Sequence, residues 1–182
     1  MIIKSVNFSI SQLFCLGCYY GFAIYLPQSN FPFLGFIARK IRYYLVRKIF
    51  KKCGENVNIE RGANFGSGHL IEIGNNSGIG IRCTIPGNTI IGENVMMGPN
   101  CYILGHNHIF DSKDIPMCFQ GKTLRKQTII EDDVWIGRDV KMTPGRTIKK
   151  GSIVAMGCIL TKDFPAYSII GGNPSKLIKS RI

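Results

Sequence analysis

Residues 73–103 read IGNNSGIGIRCTIPGNTIIGENVMMGPNCYI, and an apolar residue falls on every sixth position: Ile73, Ile79, Ile85, Ile91, Met97 and Ile103. The beat stops there, resumes at Ile130 and runs on through Ile136, Met142, Ile148, Val154 and Leu160. Four residues after each of these except Ile103 and Leu160 comes a second set: Ser77, Cys83, Thr89, Val95 and Cys101, then Val134, Val140, Arg146, Ser152 and Cys158. All are small or β-branched except Arg146. Glycine often follows the apolar position, as at Gly74, Gly80, Gly92, Gly98 and Gly137. A period of six is neither the 3.6 of a helix nor the 2 of a plain strand. It is the pattern of a solenoid whose short strands are joined by tight turns and whose coils stack. Three six-residue sides make a coil of eighteen residues. Roughly five such coils, about 4.8 Å apart, form a three-faced prism filled by the aliphatic positions. The pattern starts irregularly from Val57, at Asn58-Ile59 and Asn64-Phe65. Asn75, Asn76, Asn88 and Asn94 fall at corners, where asparagine tolerates unusual backbone angles.

Upstream of the repeat the character changes. Residues 8–26 read as an apolar helix ended by Pro27, and residues 33–52 as a second helix. Leu34, Ile37, Ile41, Leu45 and Ile49 recur at helical spacing on one face, with Arg39, Arg42, Arg47, Lys48, Lys51 and Lys52 on the rest. Cys53-Gly54 is a stop signal. The expected organisation is therefore an N-terminal helical segment, 1–53, and a β-solenoid, 54–182. The solenoid carries a loop over about 104–128 and a tail over 163–182. The tail shows Lys176, Leu177, Ile178 and Lys179 in a pattern that reads as a short C-terminal helix. Helices and tail are placed to cover the open ends of the stack, which are otherwise sticky edges.

The net charge of +12 is unevenly spread. Residues 1–53 hold eight basic residues and no acid; residues 54–182 hold fifteen basic and eleven acidic ones. Two readings of the basic segment stay open. One is a helical hairpin packed on the solenoid with a solvated basic face. The other is peripheral contact with a membrane surface, since an acid-free amphipathic helix is attracted to anionic lipid. No recognised nucleic-acid motif accompanies the charge, so nucleic acid is not expected as a partner. The apolar run Leu13–Leu26 is shorter than the ~20 residues a spanning helix needs, and no small-residue cleavage site follows it. Seven cysteines, three of them at small core positions of the repeat, read as reduced thiols in a cytosolic protein. Cys15 and Cys18 have the spacing of half a zinc or redox site but no second half nearby.

The break in the beat is where chemistry is expected. Between Ile103 and Ile130 lies a loop thrown out from a fixed platform, and long loops on rigid scaffolds tend to carry function. Its root holds His106 and His108, two of the three histidines in the chain. Two residues apart in an extended segment, they point to one side. Imidazole takes a proton near neutral pH and suits general-base work. Surface histidines without a role, or a zinc site shared with His69, are the competing readings of the residues alone.

Taken together, the hexads, the loop Gly105-His106-Asn107-His108, the segment Asp133-Val134-Trp135-Ile136-Gly137 and the tail Ile170-Gly171-Gly172-Asn173-Pro174-Ser175-Lys176 resemble the hexapeptide-repeat acyltransferases. The resemblance covers about 54–181 and is nearest to the maltose/galactoside and capsular or colanic acid O-acetyltransferase branch. It implies a mainly β fold, a left-handed parallel β-helix, and a homotrimer with active sites between subunits. It also implies acetyl-CoA as co-substrate, with no metal. It assigns the general base to His108, with His106 as the alternative. Trp135 is matched to the substrate pocket, and Arg82, Asn107 and Asp111 are further acceptor-side candidates. Ala155, Met156 and Gly157 match the stretch facing the pantetheine arm. Lys162, Pro174, Lys176 and Lys179 match the nucleotide end. Two departures stand out: Ile81-Arg82-Cys83 where relatives often carry asparagine, and Arg146 at a position expected to be Val or Ile.

The implied function is transfer of acetyl to a sugar hydroxyl in surface polysaccharide synthesis, in the cytoplasm and at most peripheral to the inner membrane. N-acetylation of an amino sugar or another small acceptor, a zinc lyase on the same scaffold, and a non-catalytic solenoid are the alternatives.

Overall fold

A computed structural model of the chain describes residues 8–181; residues 1–7, Lys4 among them, and Ile182 lie outside the described residues. Helix α1, Ile10–Gly21, starts where Ser9 and Gln12 form a capping box: the Ser9 hydroxyl accepts from the Gln12 amide at 3.2 Å, and the Gln12 side chain accepts from the Ser9 amide at 3.0 Å. A 3₁₀ turn, Ala23–Tyr25, leads to Pro27, and α2 spans Leu34–Ile49. Among the described residues no helix is long and apolar enough to cross a membrane.

The buried face of α2 agrees with the one its spacing suggested at Ile49, with Ile41 and Leu45 packed against the core, and departs from it in the first turns. Gly35, Ala38, Arg42, Val46 and Ile49 face inwards, whereas Leu34 and Ile37 are exposed. The small residues at 35 and 38 let α2 approach the rest of the chain closely. The inward position at 42 is taken by an arginine that saturates backbone carbonyls. Arg42 donates to Pro27 O at 3.0 Å and to Ile59 O, and its guanidinium stands 3.8 Å from Glu60. It does not belong to the solvated basic face.

The body is a parallel β-helix of two-residue strands. One face stacks Lys52–Cys53, Glu72–Ile73, Ile90–Ile91, Ile129–Ile130 and Thr147–Ile148. A second begins with the pair Asn58–Ile59 and Gly78–Ile79 and continues, Gly78 N–H donating to Val95 O, into Met96–Met97, Trp135–Ile136, Ile153–Val154 and Ser168–Gly171. The third stacks Tyr102–Ile103, Lys141–Met142 and Ile159–Leu160, preceded by bridges from Asn64 to Thr84 and from Thr84 to Tyr102.

The register reproduces the sequence period. Glu72 pairs with Ile90 and Ile129 with Thr147, each eighteen residues on. Ile90 pairs with Ile129, thirty-nine residues on, so the loop is an excursion that leaves the coil in phase. The first coil is longer, Asn58 pairing with Gly78, and its surplus lies in the turn over 66–70.

All twelve apolar positions of the beat are buried, and so is the whole second set except Arg146. The polar members of that set close the corners: Ser77 Oγ donates to Gly92 O at 2.7 Å and accepts from Val95 N at 3.0 Å. Glycine follows the apolar position because coils touch there; a Cβ on Gly74 would lie 2.6 Å from Gly92 O. One corner stacks Asn56, Asn76, Asn94 and Asp133 with φ of 54–57°, the left-handed turn that short polar side chains tolerate. Arg146 sits at an edge, donating to Thr161 O at 3.3 Å and pairing with Asp163 at 3.4 Å. Its charge therefore ties a corner to the tail rather than entering the prism.

Both ends are covered. At the N-terminal end Tyr19, Phe50 and Phe65 pack together, ring centroids 4.6 and 4.9 Å apart across Phe65, and Tyr19 Oη donates to Ala63 O at 2.8 Å. At the other end Phe164 and Ile170 join the core. The expected C-terminal helix is instead a strand, Lys176–Ser180, paired antiparallel to Ser168–Gly171. Five residues are too few to sustain an isolated helix, while the last parallel strand offers a free edge of donors and acceptors. The turn over 172–175, with a cis Asn173–Pro174 bond, reverses the chain onto that edge.

Candidate active site

The loop leaves the third face after Ile103 and returns alongside itself. Ile109 N–H donates to Gly121 O, Thr123 N–H to Asn107 O, and Lys126 N–H to Gly105 O, at 2.8–3.1 Å. His108 lies in an antiparallel bridge with Lys122, and Asn107 N–H also reaches Thr123 Oγ1 at 3.0 Å. At the tip, Gln120 Nε2 donates to Ser112 O at 2.9 Å and also to Ile115 O. The extended backbone around the histidines is thus held by a returning strand, not left as free loop.

His106 and His108 line one groove of about 450 Å³ with Asn107. Thr84, Pro86, Tyr102 and Leu104 also line it, with Asn64 and Gly66 of the preceding coil and Arg125 from the returning arm. His106 is half-buried and His108 exposed, and neither imidazole carries a hydrogen bond or ion pair to any described residue. The two rings are free to meet a ligand in this groove. His69 stands elsewhere, its Nδ1 2.8 Å from Ser67 Oγ and its ring 5.1 Å from Phe8. Among the described residues no group of three or more His, Cys, Asp or Glu is placed to hold a metal ion.

The remaining sequence-derived candidates fall in other places. Asp111 is exposed farther along the loop and does not line the groove. Arg82 occupies a left-handed corner, φ 53°, in a separate cavity with Tyr25, Gln28 and Arg61. Trp135 is half exposed on the second face, paired in register with Met96 and Ile153. Ala155, Met156 and Gly157 form the corner that follows Ile153–Val154, with Gly157 at φ 71° and Met156 exposed. Pro174 lies in the turn beside it, and Lys176 and Lys179 are exposed on the final strand. Lys162 is exposed with Nζ 5.5 Å from the Phe164 ring centroid. One chain thus brings His106, Asn107 and His108 together on one side of the prism. Trp135 and Ala155–Gly157 lie on another, joined by the pairing of Trp135 with Ile153.

Sequence reasoning missed Tyr102, Thr84 and Arg125. The first two had a usable signal. Each precedes a beat residue, Ile103 or Ile85, and points out on the face the loop leaves, one coil apart. Arg125 had none, because only the return of the loop brings it back to its root.

The chain matches two family models: bacterial transferase hexapeptide (six repeats) over residues 71–105, and hexapeptide repeat of succinyl-transferase over residues 127–162. It is 31% identical over 140 residues to the galactoside O-acetyltransferase of Escherichia coli, an alignment covering 76% of this chain and 68% of that one. A galactoside acetyltransferase solved in complex with coenzyme A superposes with a TM-score of 0.75 at 27% identity, over 93% of this chain and 80% of the other. A hexapeptide-repeat acetyltransferase from Vibrio cholerae, solved with acetyl coenzyme A, gives 0.69 at 29% identity, over 76% and 75%.

Proposed function

Since this chain belongs to the hexapeptide-repeat acetyltransferases, we propose that it carries acetyl from acetyl-coenzyme A to the hydroxyl of a saccharide, by direct transfer with His108 as general base. The observation that carries this reading is the groove at the loop root, where His106 and His108 stand unpartnered on a scaffold that keeps its register through the interruption. His108 removes the hydroxyl proton as the oxygen attacks the thioester carbonyl. The tetrahedral intermediate collapses, the carbon–sulfur bond breaks, and the leaving thiolate recovers the proton from the imidazolium. Holding acceptor and thioester in one cleft adds the advantage of proximity.

Asn107 and Asp111 are assigned to the acceptor side, with Trp135 and Arg82. Ala155, Met156 and Gly157 face the pantetheine arm, and Lys162, Pro174, Lys176 and Lys179 the nucleotide. The separation of the histidine groove from Trp135 and Ala155–Gly157 on one chain supports a homotrimer, in which a neighbouring copy completes each site. The acceptor is placed in surface polysaccharide synthesis, in the cytoplasm, where acetyl-coenzyme A is available, with peripheral contact at the inner membrane face.

The test is acetyl transfer to a panel of saccharides by wild type, His108→Ala and His106→Ala. His108→Ala is expected to bind acetyl-coenzyme A and lose about 10²–10⁴-fold in turnover. Near-normal turnover in that variant overturns the assignment, and loss in His106→Ala alone moves the role to His106.

A further inference from the structure

The first turns of α2 are built inside out. They bury Gly35 and Ala38, whereas Phe36 and Ile37, 62% and 53% exposed, and the preceding Phe33, 95% exposed, turn outwards. Phe33 is held there at φ 61° and ψ −51°, the centre of a γ-turn closed by Leu34 N–H donating to Pro32 O at 2.7 Å, a conformation that costs a bulky side chain energy. Neighbouring α1 exposes Ile10, Leu13 and Phe14 and carries no charged residue. Large exposed apolar side chains concentrated on two neighbouring helices mark a contact with something apolar. Its C-terminal continuation is basic: Lys40 Nζ lies 4.4 Å from the Phe36 ring centroid, and Arg47 and Lys48 are exposed in the last turn. No acidic residue occurs in residues 1–53.

We propose that this face docks the protein on an anionic lipid bilayer. Phe14, Phe33, Phe36 and Ile37 enter the boundary of the acyl chains, and Lys40 and Lys48 meet lipid phosphates. Aromatic residues beside an unbroken positive charge complement a surface that is apolar within and negative at its rim. A second copy presenting the same acid-free surface would set basic groups against basic groups.

The helix that carries part of the docked face also touches the groove through its packed side. Tyr20 of α1 donates to Gly66 O at 2.9 Å and accepts from Phe65 N at 3.1 Å, holding the part of the groove formed by Asn64 and Gly66. A bilayer-borne saccharide would therefore be presented beside His108; this consequence rests on the acetyl-transfer reading, whereas the docking itself does not.

The experiment is sedimentation of the full chain with vesicles of phosphatidylcholine alone or mixed with phosphatidylserine, over a range of salt. Binding is expected to the mixed vesicles, weakening with salt. Phe33→Asp/Phe36→Asp is expected to lower partition about tenfold or more, and Lys40→Glu/Lys48→Glu to abolish the preference for phosphatidylserine. Light scattering should give one oligomer size for all three proteins. A wild-type chain that stays in the supernatant overturns the proposal. So does a phenylalanine variant that changes oligomer size and leaves vesicle partition intact, since a second copy then covers the face. A wild-type chain that partitions to the vesicles but transfers no acetyl overturns only the enzymatic reading.

Discussion

Arg42 of α2 and Glu60 of the first coil face each other across the joint between helix and solenoid, Nη2 3.8 Å from Oε2, with the arginine fully buried and the carboxylate 14% exposed. Around them Glu60 accepts from Ser29 N at 3.0 Å, from Ser29 Oγ and from Asn58 Nδ2 at 2.9 Å. The linker, the helix and the coil are thus joined by one polar cluster. Burial pulls the Arg42 pKa down, and Glu60 opposes that loss.

Removing one partner from such a cluster leaves the other buried and uncompensated. Arg42→Met is expected to destabilise by about 3–5 kcal/mol, because the carbonyls of Pro27 and Ile59 lose their donor as well. Urea denaturation of the full chain measures it. A loss under about 1 kcal/mol, the range of exposed pairs, would mean that the joint is not held by this cluster.

The same cluster sets a pH dependence. Burial raises the Glu60 carboxyl, but the Ser29 and Asn58 hydrogen bonds and the Arg42 charge outweigh it and hold the pKa below the usual value. A depressed folded-state pKa gives stabilisation that is complete above the unfolded value, about 4.3, and is lost as pH falls through the folded value. Thermal melts of wild type and Glu60→Gln should therefore differ most at neutral pH and converge on acidification. A difference that is flat with pH would show that the Glu60 charge contributes nothing.

Adjacent residues on the second face should separate stability from activity. Ile136 is fully buried in the prism and Trp135 is half exposed beside it. Ile136→Ala is expected to cost about 2–5 kcal/mol through lost burial and the cavity left behind. Trp135→Ala should cost about 1 kcal/mol or less while raising KM or lowering kcat for transfer. Unchanged kinetics in Trp135→Ala would remove it from the proposed pocket.

Much of the architecture is legible without coordinates because a hexad repeat is a local rule restated many times. Each of the twelve beat positions is buried whatever the neighbours do, so the core, the eighteen-residue coil and the phase across the loop all follow from spacing. The residues that escaped are those whose surroundings come from far along the chain. The outward stack of Thr84 and Tyr102 becomes a groove wall only once the loop folds back and delivers Arg125 beside it. On α2, spacing by apolarity holds at Ile41, Leu45 and Ile49 but fails at Leu34 and Ile37, because close approach at Gly35 and Ala38 and open carbonyls near Arg42 decide which side of the first turns packs. The tail strand was misjudged because its pairing partner is an edge that exists only after the coils have stacked.

By itself, then, the sequence determined the parallel β-helix, its buried positions and the place of its one interruption, since all three are set by contacts repeated at fixed short intervals. The tertiary structure decided which side of the first turns of α2 faces out and that the tail closes as a strand. It also decided that His106 and His108 share a groove from which Trp135 is absent on the same chain. Those outcomes depend on long-range packing and hydrogen bonding, whose partners no periodicity encodes.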